Sequence, residues 1–293
     1  MGSDLGSMKI AIYQGPGVFL DVAANLALLD RLAKSAATQD AGLLILPEMF
    51  LTGYNIGDEV GRLAEPARGP SAERAATIAR DNRISLLYGY PERAGRSIYN
   101  SALLIDDAGR ALANYRKTHL FGPEERRLFR PGEDLAVARL AGLTIGILIC
   151  YDIEFPELVR SLVLKGADMV AVPTALSPPY DEIPTSILRA RAYENQIFVA
   201  YSNHSGTEGD LSFIGGSALV GPDGRDIVRA GRDEETLLIA SADLARYAES
   251  RRLNTYLQDR RPELYGAVVT AQDGDTADSQ ARMPQSESKR RIR

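Results

Sequence analysis

Short apolar runs rich in β-branched residues recur along the chain, at residues 9–13, 42–46, 84–88, 98–105, 143–149, 169–172, 197–201, 215–220 and 236–240. They predict strands, and their near-continuous apolar character predicts sheets covered on both faces. Between them apolar residues return at helical spacing. Val22, Leu26, Leu29 and Leu32 line one face, and Leu158, Leu162 and Leu164 another. Strands alternating with helices predict an α/β architecture. No Pro-, Gly- or Ser-rich stretch breaks the alternation before the end, and no internal repeat is legible. Residues 8–270 are therefore expected to form a single domain. Residues 1–7, ahead of Met8, read as a cloning remnant outside the fold. Residues 271–293 are polar and aperiodic and finish on Lys289, Arg290, Arg291 and Arg293. They suit a frayed tail or an arm packed on a second subunit.

Composition narrows the class. Of 293 residues, 45% are hydrophobic and 25% charged, ordinary globular values that exclude a disordered or fibrous chain. Lys and Arg total 34 against 39 Asp and Glu, a net charge of -5. That balance gives nucleic acid or an anionic membrane no electrostatic hold. The longest strongly apolar run, residues 143–150, is far shorter than the roughly 18 residues of a spanning helix. With no leader-like segment at the start, the expected location is the cytoplasm. One cysteine excludes an internal disulfide framework, and two histidines beside it make a poor metal-ligand inventory.

Three residues could carry chemistry. Cys150 ends a buried run and precedes Tyr-Asp-Ile-Glu-Phe-Pro156, where a helix should begin. A lone cysteine is more often a small buried hydrophobe than a nucleophile. A strand-to-helix turn favours the nucleophile, because helix amides lower a thiol pKa and bind an oxyanion. Glu48 follows Leu43-Leu-Ile-Leu-Pro47 at a second strand end. Most glutamates are solvated, but apolar neighbours on both sides predict burial, which suits a general base. Lys117, in Tyr115-Arg-Lys-Thr-His-Leu-Phe121, carries little information alone. In one pocket with a thiol and a carboxylate, it could hold a developing oxyanion. A Cys–His pair using His119 or His204 is the alternative, and the usual surroundings of cysteine proteases are missing.

Together these segments resemble the carbon–nitrogen hydrolase (nitrilase) superfamily, and most closely its bacterial aliphatic and stereoselective amidases. The carriers are Leu46-Pro-Glu48 with Thr52-Gly-Tyr54, then Tyr115 to Phe121, then Cys150-Tyr-Asp-Ile-Glu-Phe-Pro-Glu157, in family order. The likeness runs from Lys9-Ile-Ala-Ile-Tyr-Gln14 to Asp259-Arg-Arg-Pro-Glu-Leu-Tyr265. It implies a four-layer α-β-β-α sandwich assembled as a homodimer or higher homo-oligomer. It also implies a Glu48–Lys117–Cys150 triad forming a thioester, with Lys117 and the Tyr151 N–H on the oxyanion and no metal or organic cofactor. The family's second glutamate, seven positions after the lysine, would be Glu124, with Glu125 as substitute. Tyr54, Thr174 and Ala175 are expected to support or shape the pocket.

Substrate class follows from the residues beside the thiol. Family nitrilases usually read Cys-Trp-Glu, whereas this chain reads Cys150-Tyr-Asp152 and has no tryptophan. Amide hydrolysis is the better expectation, on small aliphatic or amino-acid-like carboxamides. Omega-amidase-like members often carry arginine where Glu154 stands. Facing the pocket, Glu154 would repel α-keto acid amides and favour amine-bearing ones; otherwise it decorates the next helix N-terminus. An omega-amidase, an N-carbamoyl-amine amidohydrolase, a nitrilase and an inactive binding homologue are the alternatives. Arg189, Arg191 and Glu194 are expected to pair with loop carboxylates and hold the pocket wall, with direct substrate contact as the other possibility.

Overall fold

The computed structural model describes residues 6–270. They divide into two compact units, one ending at Asn254 and one beginning at Thr255. The second unit's described part is a pair of short turns, Pro262–Leu264 and Gly266–Val269, with almost every residue exposed. The expectations for residues 271–293 and 1–5 lie outside the described residues. Ser7, assigned to the remnant, already belongs to the first strand, where it pairs with Asp243.

The larger unit is built on two six-stranded sheets. In spatial order the first carries Thr236–Asp243, Ser7–Gln14, Leu43–Ile45, Ser85–Ala94, Ser97–Ile105 and Ala111–Arg116. The second carries Asp226–Arg229, Ala218–Val220, Phe198–Asn203, Met169–Thr174, Leu143–Ile147 and Ala136–Leu140. Each has three parallel strands at its heart, flanked by antiparallel partners. Read from opposite ends, the two sheets share one pairing pattern. The sequence shows no trace of this repeat.

Alternation along the strands sorts the core into layers. In Ser7–Gln14, Ile10 and Ile12 enter one cluster with Ile145, Ile147 and Val170 of the second sheet. Ala11 and Tyr13 point the other way, onto Leu29 and Ala33 of helix Val22–Ala37 and Ile78 of helix Pro70–Asn82. This is the period-two rule of strands applied to a sheet buried on both faces. The outer face of the second sheet packs Val159 and Leu162 of helix Pro156–Leu164 and Leu188 and Ala192 of helix Leu188–Asn195. The layers run α-β-β-α, as expected.

Local corrections have simple causes. Helix Val22–Ala37 buries Asn25, Leu28, Leu29, Ala33 and Ala36, a stripe rotated from the expected one, because Asn25 is held by its own hydrogen bonds to Val18 O and Leu51 O. Leu164, expected on a buried face, is the last residue of its helix and is 53% exposed. Strands Ala111–Arg116, Ala136–Leu140 and Asp226–Arg229 escape the pattern because they lie at or near sheet edges and are mostly half-buried. Among the described residues, no helix is long and apolar enough to cross a membrane.

Candidate active site

Strand Leu43–Ile45 ends in Leu46 and Pro47 and delivers Glu48 beyond the sheet. Met49 turns the chain with φ at 54°, a left-handed conformation that costs a residue with a Cβ of order 1–2 kcal/mol. The turn lies directly over Gly89, where a Cβ would come within 2.3 Å of Met49 N and 2.7 Å of Glu48 Cα. Only glycine lets the backbone approach this closely. His204 Nε2 donates to the Glu48 carbonyl at 2.7 Å, and Glu48 N donates to Thr174 O at 3.4 Å, tying the turn to the second sheet.

Lys117 follows strand Ala111–Arg116 and is fully buried. Its Nζ donates to Glu48 Oε1 at 2.7 Å and to Glu125 Oε1 at 2.6 Å. Asn100 joins the two strands' products. Its Nδ2 donates to Glu48 Oε1 at 2.7 Å, while its carbonyl accepts the Lys117 N–H at 2.8 Å. Tyr54 OH donates to Glu125 Oε1 at 2.7 Å, and Phe121 N to Glu125 Oε2 at 2.8 Å. Glu48 Oε2 is buried and, among the described residues, accepts no hydrogen bond.

Cys150 opens the 3-10 turn Cys150–Glu154 that joins strand Leu143–Ile147 to helix Pro156–Leu164. Its φ of 46° is again left-handed, so the nucleophile candidate sits on a strained elbow. Buried Asp152 holds this elbow. Its Oδ2 accepts from Ile149 N at 3.1 Å and Tyr115 OH at 2.9 Å. Its Oδ1 accepts from His119 N at 2.9 Å and Thr118 Oγ1 at 3.0 Å. One carboxylate thereby fastens the lysine segment to the cysteine turn.

Burial sets the ionisation of these groups. Desolvation pushes Glu48 up to about 6, against the opposing pull of the Lys117 charge. For Lys117 burial favours the neutral amine, but the Glu125 and Glu48 carboxylates outweigh it and hold the ammonium charged well above its usual range. Burial and the Glu48 charge push the Cys150 thiol well up, opposed by Lys117 and a backbone hydrogen bond from Ala175. The resting arrangement is a neutral thiol beside a carboxylate that can accept a proton near neutrality.

A cavity of about 230 Å³ opens onto Cys150. Tyr54, Tyr151 and Ala175, expected near the substrate, line it, and so does Glu154, whose direction the sequence left open. Thr174 is fully buried behind it, with its hydroxyl on Val172 O at 3.1 Å. Glu124 also lines the cavity but does not reach Lys117. Its carboxylate is 62% exposed at the rim and pairs with Arg127, while the neighbouring Glu125 turns inward to Lys117. Adjacent residues of helix Gly122–Leu128 point about 100° apart, so only one can face the lysine. Neither histidine bonds to the thiol: His119 bonds to Asp152 and stacks on Phe155, and His204 bonds to Glu48 O and faces Gly15 O. Arg191 does hold the pocket wall, but through the Ile153 and Glu154 carbonyls, at 3.0 and 2.7 Å, rather than loop carboxylates. Arg189 pairs with Asp226 instead. Asn100 and Asp152, to which sequence reasoning gave no role, make the hydrogen bonds that hold these segments together. Asp152 stands within the Cys150–Glu157 motif, which was the available signal. Among the described residues, no group of three or more His, Cys, Asp or Glu side chains could hold a metal ion.

The chain is similar to known proteins in sequence and fold. Residues 9–252 match the carbon-nitrogen hydrolase family. The chain is 52% identical over 266 residues to a Pseudomonas protegens protein named for its position as the hydrolase in the pqqF 5' region, covering 90% of this chain and 92% of that one. It is 38% identical over 269 residues to an (R)-stereoselective amidase of a Pseudomonas species, covering 91% and 96%. A solved structure of an amidase variant from Nesterenkonia sp. AN1, carrying the acetamide moiety of fluoroacetamide covalently at its active-site cysteine, superimposes with a TM-score of 0.80. That match is 38% identical and covers 90% of this chain and 98% of the other.

Proposed function

We propose that this chain, which belongs to the carbon–nitrogen hydrolase family of the nitrilase superfamily, is an amidase that hydrolyses small carboxamides to carboxylic acid and ammonia. The observation that carries the reading is the placement of Cys150 on the cavity wall, with its charge environment set by the sealed Glu48–Lys117 pair.

The reaction uses each group once in each half. Glu48 takes the thiol proton as the Cys150 sulfur attacks the amide carbon, so a C–S bond forms while the carbonyl π pair moves to oxygen. The Lys117 ammonium and the Tyr151 N–H stabilise that oxyanion. Collapse restores the carbonyl, breaks the C–N bond and passes the Glu48 proton to the departing ammonia. A water then gives its proton to Glu48 and attacks the thioester. A second collapse releases the acid and returns the proton to sulfur. Glu125 and Asn100 fix Lys117 and Glu48 through hydrogen bonds made before substrate arrives, so no reorganisation is needed at the barrier.

Ammonia release from short aliphatic carboxamides and their matching nitriles, with a Cys150→Ala blank, tests the reading. Thiol-dependent turnover of the amides in preference to nitriles is expected. Preference for nitriles would overturn the substrate class, and amide turnover by the alanine variant would overturn the chemistry.

A further inference from the structure

Among the described residues, three glutamates and no lysine, arginine or histidine line the cavity that opens onto Cys150. Two of the three already have a cationic partner: Glu125 has Lys117 and Glu124 has Arg127. The third, Glu154, is half-buried, and among the described residues its carboxylate oxygens take no hydrogen bond and no ion pair. Arg191, the cation nearest in sequence contact, spends its guanidinium on the Glu154 and Ile153 carbonyls and on Glu194. It stands behind the wall and not in the cavity. Glu154 makes no cap hydrogen bond to the following helix: the cap position is Phe155, and no side chain bonds there.

The rest of the wall suits the same charge. Phe121 stands edge-on to Tyr151 at 5.3 Å and to Tyr180 at 5.7 Å between ring centroids, so aromatic faces and edges surround the approach to the thiol. Aromatic faces attract ammonium and repel carboxylate. An unpartnered carboxylate in such a wall carries a desolvation cost that a cation entering the cavity would offset. Burial raises the Glu154 pKa against the opposing charges of Lys117 and Arg191, neither of which bonds to its carboxylate, and an ammonium bound in the cavity would lower it further.

We infer that Glu154 and the Phe121, Tyr151 and Tyr180 rings form an ammonium subsite, making carboxamides that carry a protonated amine the preferred substrates. This rests on the amidase reading above and adds to it the charge of the acyl group. An anionic amide meets the unpaired carboxylate and is disfavoured. A neutral amide binds through its apolar contacts alone.

Isosteric pairs isolate the charge: glycinamide with propionamide, β-alaninamide with butyramide, and 4-aminobutanamide with pentanamide. In at least one pair the ratio of kcat/KM, ammonium over methyl, is expected to be about tenfold or more in the wild type. It should fall towards one in Glu154→Gln, and Glu154→Lys should reverse it and admit succinamate. A wild-type ratio within about twofold of one in all three pairs, or one unmoved by Glu154→Gln, overturns the subsite while leaving the amidase reading intact. Binding of the same pairs to the Cys150→Ala protein, measured by calorimetry, answers independently of turnover. Tighter binding of the ammonium member there, with no wild-type hydrolysis of either, would support the subsite and overturn the reaction. Equal binding of both members would overturn the subsite.

Discussion

Glu48 and Lys117 meet at 2.7 Å with neither side chain exposed to solvent. A sealed ion pair of this kind contributes little net stability, because desolvating both charges cancels most of their attraction. What it fixes is geometry and protonation. Lys117 is shared with Glu125 at 2.6 Å, so one ammonium faces two carboxylates and Glu48 is left with a free oxygen, Oε2, that can take a proton.

The pH profile should report Glu48. With its pKa pushed up to about 6 by burial, the carboxylate form that accepts the thiol proton is lost as pH falls through that value. Lys117 stays charged and the thiol neutral over the same range, since both are held well above their ordinary values. The acid limb of kcat/KM should therefore show one group near 6, with activity at pH 5 about a tenth of the plateau. A profile flat down to pH 4.5 would remove Glu48 as the base.

The two neighbouring glutamates should separate cleanly. Glu125→Gln takes one of two carboxylates from a buried ammonium, and is expected to lower kcat by about 100-fold. It should also cost about 1–3 kcal/mol of stability, read from denaturant unfolding. Glu124→Gln breaks only a rim contact with Arg127 and should leave both quantities in place. The opposite ranking would return the role to Glu124.

Asp152→Asn should act on the reaction through position alone. Asp152 fastens Ile149 N to Tyr115, Thr118 and the His119 N–H, and so sets the Cys150 turn against the Lys117 segment. Asparagine cannot accept all four bonds, so a loss of about 2–3 kcal/mol in stability is expected. Steady-state kinetics should show kcat reduced at least tenfold with KM little changed. A change confined to KM would place Asp152 in substrate binding instead.

Gly89→Ala should disturb a site it never touches chemically. Its Cβ would collide with the backbone of Glu48 and Met49, so the base must move. Activity is expected to fall at least 10-fold, by the sensitivity of catalysis to displacements of about 1 Å. Wild-type activity with an unchanged pH profile would show that the turn has slack.

How much of this was legible depends on burial. Glu48 and Cys150 stand out because each ends a continuous apolar run, which only a doubly covered strand explains. Lys117 has no such signal, since strand Ala111–Arg116 is mostly half-buried, and only the family motif singles it out. The choice between Glu124 and Glu125 turns on a single residue of helix phase, which spacing from Lys117 does not determine. The doubled sheet pattern is invisible because hydrogen-bond topology can repeat while side chains diverge. Glu154 needed coordinates: the sequence lets it decorate a helix N-terminus or face the pocket, and only the fold puts it on the cavity wall.

The central claim is a thioester on Cys150, and acyl transfer to hydroxylamine tests it most directly. Propionamide and methyl propionate would each be turned over with hydroxylamine present, and the ratio of hydroxamate to acid measured. A shared acyl-enzyme forgets its leaving group, so the same ratio is expected from both substrates, with neither product formed by Cys150→Ala. Ratios that differ between the two, or products from the alanine variant, would contradict the mechanism.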